Sequence, residues 1–88
     1  MAPEEYQVEL SDLALGQMRA FEKPLALRIA AKLEDAARYP DHYFKRLSGR
    51  EKCKLRIGDY RVIGFVLHSE KHIFVESMDH RKRVYKRP

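Results

Sequence analysis

The sequence predicts an α+β domain in which an N-terminal strand and an αα-hairpin precede a three-stranded antiparallel meander. Three observations carry this. Residues on both sides of Gly58-Asp59 alternate between apolar and charged, the period of a strand with one buried face. Ala26, Ile29, Ala30, Leu33 and Ala37 recur at helical spacing. The apolar periods follow the order strand, helix, helix, strand, strand, strand, which buries both helix stripes if the helices cover one face of a small four-stranded sheet, antiparallel or mixed.

The first strand is read from Tyr6, Val8 and Leu10 alternating with Gln7 and Glu9. Ser11 then suits an N-cap, because its hydroxyl can accept from an amide of the first turn that has no helical partner. Leu10 and Leu15 are spaced for a hydrophobic staple. Ala14, Met18 and Phe21 share one face of this helix, which Gly16 weakens by roughly 1 kcal/mol relative to Ala. Pro24 fits the first turn of a second helix, where a missing amide costs nothing. Pro40 disfavours helical geometry at Tyr39, so that helix ends near Arg38. Its outer side, with Arg28, Lys32, Asp35 and Arg38, is read as a solvated face, and Glu34 is placed to pair with Arg38.

Asp41 to Arg50 reads as a connection whose Lys45 and Arg46 lie between Phe44 and Leu47. Glu51 to Phe65 reads as a hairpin. Gly58 at the first central position accepts the positive φ of a type II′ turn, and this fixes the register: Ile57 opposite Tyr60, then Arg56 with Arg61, Leu55 with Val62, Lys54 with Ile63, Cys53 with Gly64. Cys53, Leu55, Ile57, Tyr60 and Val62 then share one face, while Lys52, Lys54, Arg56 and Arg61 share the other. Four cations on adjacent strands repel one another, a cost that a bound polyanion would relieve; a solvated Lys- and Arg-rich face is the plain alternative. Ser69-Glu70-Lys71 is the turn into a last strand marked by Ile73, Phe74 and Val75, and a basic tail runs from Asp79 to Pro88.

At 88 residues the chain, 1–88, is one domain with a single modest core, so a site must lie on its surface or in a shallow groove. A net charge of +5 favours anionic partners, nucleic acid ahead of a membrane surface. The single cysteine excludes an intrachain disulfide, and the inward position of Cys53 favours a small core residue. His68 and His72, four apart, would serve a metal only on a helix, and here they flank a turn. No long apolar run suggests a leader or membrane span, which makes the cytoplasm the default location.

In their order and spacing, YQVELSDLAL, the helix pair ending in Tyr-Pro, FKRLSG, KCKLRIGDYRVI and DHRKRVYK resemble the RelE/ParE toxin superfamily over nearly the whole chain. RelE-side members are typically ribosome-dependent endoribonucleases that cut messenger RNA at the A site, and ParE-side members poison gyrase. The resemblance implies a RelE-like fold, no cofactor or metal, and a RelB-like antitoxin as partner in a toxin–antitoxin hetero-oligomer. It carries Lys52, Lys54, Arg61, Arg81 and Tyr85 onto the RNase positions. Gly64 stands where a YRVIY-like run usually has an aromatic, which permits a bulge or leaves a gap, and Asp79 stands in the place often held by glycine.

In metal-free cleavage the ribose 2′-hydroxyl loses a proton and attacks the adjacent phosphate, while charge accumulates on the non-bridging oxygens. With the resemblance, Lys54 is assigned as general base, and Lys52 and Arg61 as phosphate binders. Arg81 is assigned as general acid or leaving-group stabiliser, and Tyr85 as a surface on which a base stacks. A lysine acts as base only where part of it is neutral, and neighbouring cations push a lysine that way. Lys45, Arg46, Arg50, Arg56 and Arg83 form a phosphate-binding perimeter, with His80 as a further RNA contact or proton carrier. Without the resemblance, Lys52 and Lys54 read as solvated strand residues, Arg61 as an ion-pair partner, and Tyr85 as a clasp on the C-terminus. A gyrase poison and a degenerate antitoxin-binding member remain the alternative functions.

Overall fold

The computed structural model describes residues 5–47 and 51–80. Its elements run β1 (Gln7–Leu10), α1 (Asp12–Ala20), α2 (Lys23–Arg38), α3 (Pro40–Tyr43), β2 (Lys45–Arg46), β3 (Cys53–Ile57), β4 (Tyr60–Leu67) and β5 (His72–His80). The strands form one mixed sheet in the order β1-β5-β4-β3-β2, with β1 parallel to β5 and the other pairs antiparallel.

The hairpin has the register expected from its turn, from Ile57 opposite Tyr60 to Cys53 opposite Gly64. Gly58 takes φ +59°, the left-handed region where a side chain would be strained. Ser11 caps α1, accepting from the Ala14 amide at 3.0 Å. Pro24 sits in the first turn of α2, which ends at Arg38 as Pro40 requires. α2 buries Ile29, Leu33, Ala36 and Ala37 against Leu55, Ile57, Val62, Ile73, Val75 and Met78, with Ala14 and Phe44 completing the core. Each fully buried Ile contributes roughly 1.5–3 kcal/mol through removal from water.

Two stretches depart from expectation. The stretch read as a connection after Tyr39 contains a helical turn and a fifth strand, β2, whose Lys45 and Arg46 pair with Lys54 and Cys53. Two residues are too few to leave a period in the sequence. The last strand also runs on through Asp79 and His80, which were assigned to the tail. Strict alternation from Ile73 and Val75 would bury Ser77 and Asp79. Instead the β4–β5 register shifts between Ile63 and Gly64: Gly64 faces Val75, Ile63 faces Ser77, and Glu76 is the extra residue. The shift reverses the parity of the strand and turns Met78 into the core, 1% exposed.

Gly64 explains why the shift lies there. A Cβ on it would run into the Phe74 carbonyl oxygen and meet Val75 Cα at 3.1 Å, so only glycine lets β5 approach this closely. Of the bulge and the gap that a strand glycine allows, the structure has the bulge. Among the described residues β1 pairs with His72–Val75, and α1 fastens the β5 edge beyond them: Ser11 Oγ donates to the Glu76 carbonyl at 2.6 Å, and the Met78 amide donates to Gln17 Oε1 at 2.7 Å.

Candidate active site

The bulge, the entry to β3 and the exposed side of α1 enclose a groove of about 390 Å³ on the sheet, bordered by Lys52, Arg61, Ile63, Glu76, Asp79 and Leu13. That volume lies within the range of small-ligand clefts, roughly 300–1,000 Å³. Two of the cations singled out in the sequence, Lys52 and Arg61, therefore meet here. Lys54 shares their face by alternation but does not border the groove; its strand neighbours are Lys45 on one side and Ile63 on the other.

Each groove cation is set against an acid. Lys52 Nζ lies 2.9 Å from Glu76 Oε1, with both side chains a little over a third exposed. Arg61 stands between Arg56 and Asp79, directly opposite each on the neighbouring strands. Like charges facing across strands are unfavourable by a few tenths of a kcal/mol, and Asp79 on the other flank offsets that cost. The acid that replaces the expected glycine thus has a local electrostatic reason. Asp79 Oδ1 also accepts from the His80 amide at 2.8 Å.

Glu76 is the groove residue that sequence reasoning missed. A carboxylate in the apolar run Ile73-Phe74-Val75-Glu76-Ser77-Met78 was the available signal. Alternation from Val75 places it on the open face, but its nearness to Lys52 depends on the strand order, which is invisible in one strand read alone.

The remaining sequence candidates disperse. Arg56 borders a second depression near the hairpin turn, with Arg28, Lys32 and Asp35 of α2. Lys45 and Arg46 lie exposed on the β2 edge. His80 does not join the groove: its ring meets Tyr60 edge-on at 4.9 Å, and Tyr60 meets Phe21 at 5.3 Å, which puts His80 on the helix side. The parity reversal at Glu76 is the cause. Arg50, Arg81, Arg83 and Tyr85 lie outside the described residues. His68 and His72 serve different partners. His68 meets Tyr6 Oη at 2.7 Å and Asp41 at 3.3 Å, whereas His72 meets Glu9 at 2.9 Å.

The sequence matches no protein-family model and none of the curated proteins. Solved structures do match. A chain of the toxin–antitoxin complex RelBE2 from Mycobacterium tuberculosis superposes with TM-score 0.78 at 19% identity, covering 88% of this chain and 99% of that one. A chain of the archaeal RelE–RelB complex from Pyrococcus horikoshii gives 0.76 at 22% identity, covering 90% and 98%. The fold is that of the RelE toxins. Isolated E. coli RelE gives 0.74 at 22% identity, covering 91% of this chain and 90% of that one. The RelE-like sheet and helix pair therefore persist here although about four residues in five differ.

Proposed function

We propose that this chain is the toxin of a type II toxin–antitoxin pair and a ribosome-dependent endoribonuclease that cuts messenger RNA at the A site. The observation that carries the reading is the meeting of Lys52 and Arg61 in one groove of a RelE-like fold. An ammonium and a guanidinium there can hold the scissile phosphate and stabilise the charge that grows on its oxygens. Lys54 adds positive potential along the same face, Arg81 stabilises the leaving oxygen, and Tyr85 stacks on the base beside the cut. Lys45, Arg46, Arg50, Arg56 and Arg83 steer the polyanion towards the groove. Phosphate binding needs no cofactor in this scheme.

The partner is a RelB-like antitoxin. RelE chains of the same fold are found in complex with RelB, and the +5 charge of this chain favours rapid capture by an acidic partner. The pairing of groove cations with Glu76 and Asp79 supports a second reading, a member that binds antitoxin without cutting RNA. Primer extension on programmed ribosomes separates the two. New RNA ends that disappear in Lys52→Ala and Arg61→Ala support cleavage. No new ends from the folded wild-type chain reject it, and inhibition of supercoiling in the same preparation would assign the chain to the gyrase poisons.

A further inference from the structure

We infer that Glu76 is the general base of the cleavage step, taking the 2′-hydroxyl proton that sequence reasoning assigned to Lys54. The inference rests on the endoribonuclease reading above. Lys54 does not border the groove, whereas Glu76 does, beside Lys52 and Arg61. Carboxylates are ordinarily ionised near neutral pH and ready to accept a proton, while ammonium groups ordinarily hold theirs.

Two structural features fit a carboxylate placed for chemistry. Glu76 is the extra residue at the bulge of β5, on the face opposite the buried Val75, at a point where the ladder pairing is interrupted. Its backbone is held by Ser11 Oγ on its carbonyl at 2.6 Å, between the Ser11 amide on Val75 O at 2.9 Å and Gln17 on the Met78 amide at 2.7 Å. The base is therefore mounted on a pinned segment. The contact with Lys52 at 2.9 Å orients the carboxylate. An ion pair this exposed adds little to stability, which leaves orientation of the carboxylate as its main effect.

The step balances as follows. Glu76 takes the proton of the ribose 2′-hydroxyl as the 2′-oxygen bonds to phosphorus, and the bond from phosphorus to the 5′-oxygen breaks. Water protonates the leaving oxygen, and the carboxyl returns its proton to the hydroxide so formed. The products are a 2′,3′-cyclic phosphate and a 5′-hydroxyl end, with Lys52 and Arg61 holding the phosphate throughout.

The test is single-turnover cleavage on programmed ribosomes, with ribosome binding measured alongside. Glu76→Gln keeps the shape and a hydrogen-bond acceptor for Lys52, and should slow cleavage about 100-fold or more with binding unchanged. Glu76→Ala should be equally slow and recover as sodium formate is added, because a small carboxylate can occupy the vacated space. Cleavage by Glu76→Gln within about threefold of wild type overturns the inference but leaves the endoribonuclease reading standing. A slow Glu76→Ala that formate fails to rescue also overturns it, reducing Glu76 to a tether for Lys52. A wild-type chain that makes no cut removes both readings.

Discussion

The two faces of the sheet obey different rules. On the helix side, Leu55, Ile57, Val62, Ile73, Val75 and Met78 lie against Ile29 and Leu33 and are almost wholly removed from water. On the other side, Lys52, Arg61, Glu76 and Asp79 border an open groove in which charges face charges. One set of strands carries both because side chains alternate, and the bulge at Glu76 joins the two programmes: it turns Met78 inward and leaves Glu76 beside Lys52. The helix side therefore holds the buried core and the groove holds the candidate site, with Gly64 at the bulge between them.

That division can be broken in stages. Ile73→Ala, on the helix side and fully buried, is expected to cost about 2–5 kcal/mol of stability by leaving a cavity, read from urea denaturation. In the groove, Lys52→Ala should behave in the opposite way. Cleavage on programmed ribosomes should fall about 100- to 1,000-fold, the loss typical of removing one transition-state donor. Its unfolding free energy should change by less than about 1 kcal/mol, because the pair with Glu76 is exposed. A Lys52→Ala chain that unfolds readily would show that the groove also supports the fold.

Gly64→Ala sharpens the link between the faces. The added Cβ meets the Phe74 carbonyl, so a loss of about 1–3 kcal/mol is expected. Cleavage by the folded fraction should drop as well, since the bulge that contains Glu76 is displaced. Ser11→Ala removes both the helix cap and the bond to the Glu76 carbonyl, and about 1 kcal/mol should be lost in thermal or urea unfolding. The smallest effect is a gain. A Cβ at Gly16 meets nothing within 4 Å, so Gly16→Ala should stabilise by about 0.5–1 kcal/mol without altering cleavage.

Much of the helix side was legible in the chain because local chemistry sets it. The cap at Ser11, the stop before Pro40, the stripe on α2 and the register around Gly58-Asp59 each depend on neighbours a few positions away. The groove was legible only in part. Lys52, Lys54 and Arg61 share one face by alternation within one hairpin, and of these Lys52 and Arg61 border the groove. His80, read as part of the tail and given to the RNA-binding set, lies in β5 with its ring against Tyr60 on the helix side, and Glu76 has no role in the sequence reading because its nearness to Lys52 depends on which strands are neighbours.

By itself the sequence determined the order of the longer elements, the hairpin register and which residues compete for the core, since side-chain period and turn geometry act over short range. Only the tertiary structure decided the parallel pairing of β1 with β5, the fifth strand, and the parity of β5 beyond Val75. The parity depends on how closely two backbones approach at Gly64, beside a sheet edge that α1 fastens, and the β1–β5 pairing joins the two ends of the described chain. These are relations between segments, and no single segment encodes them.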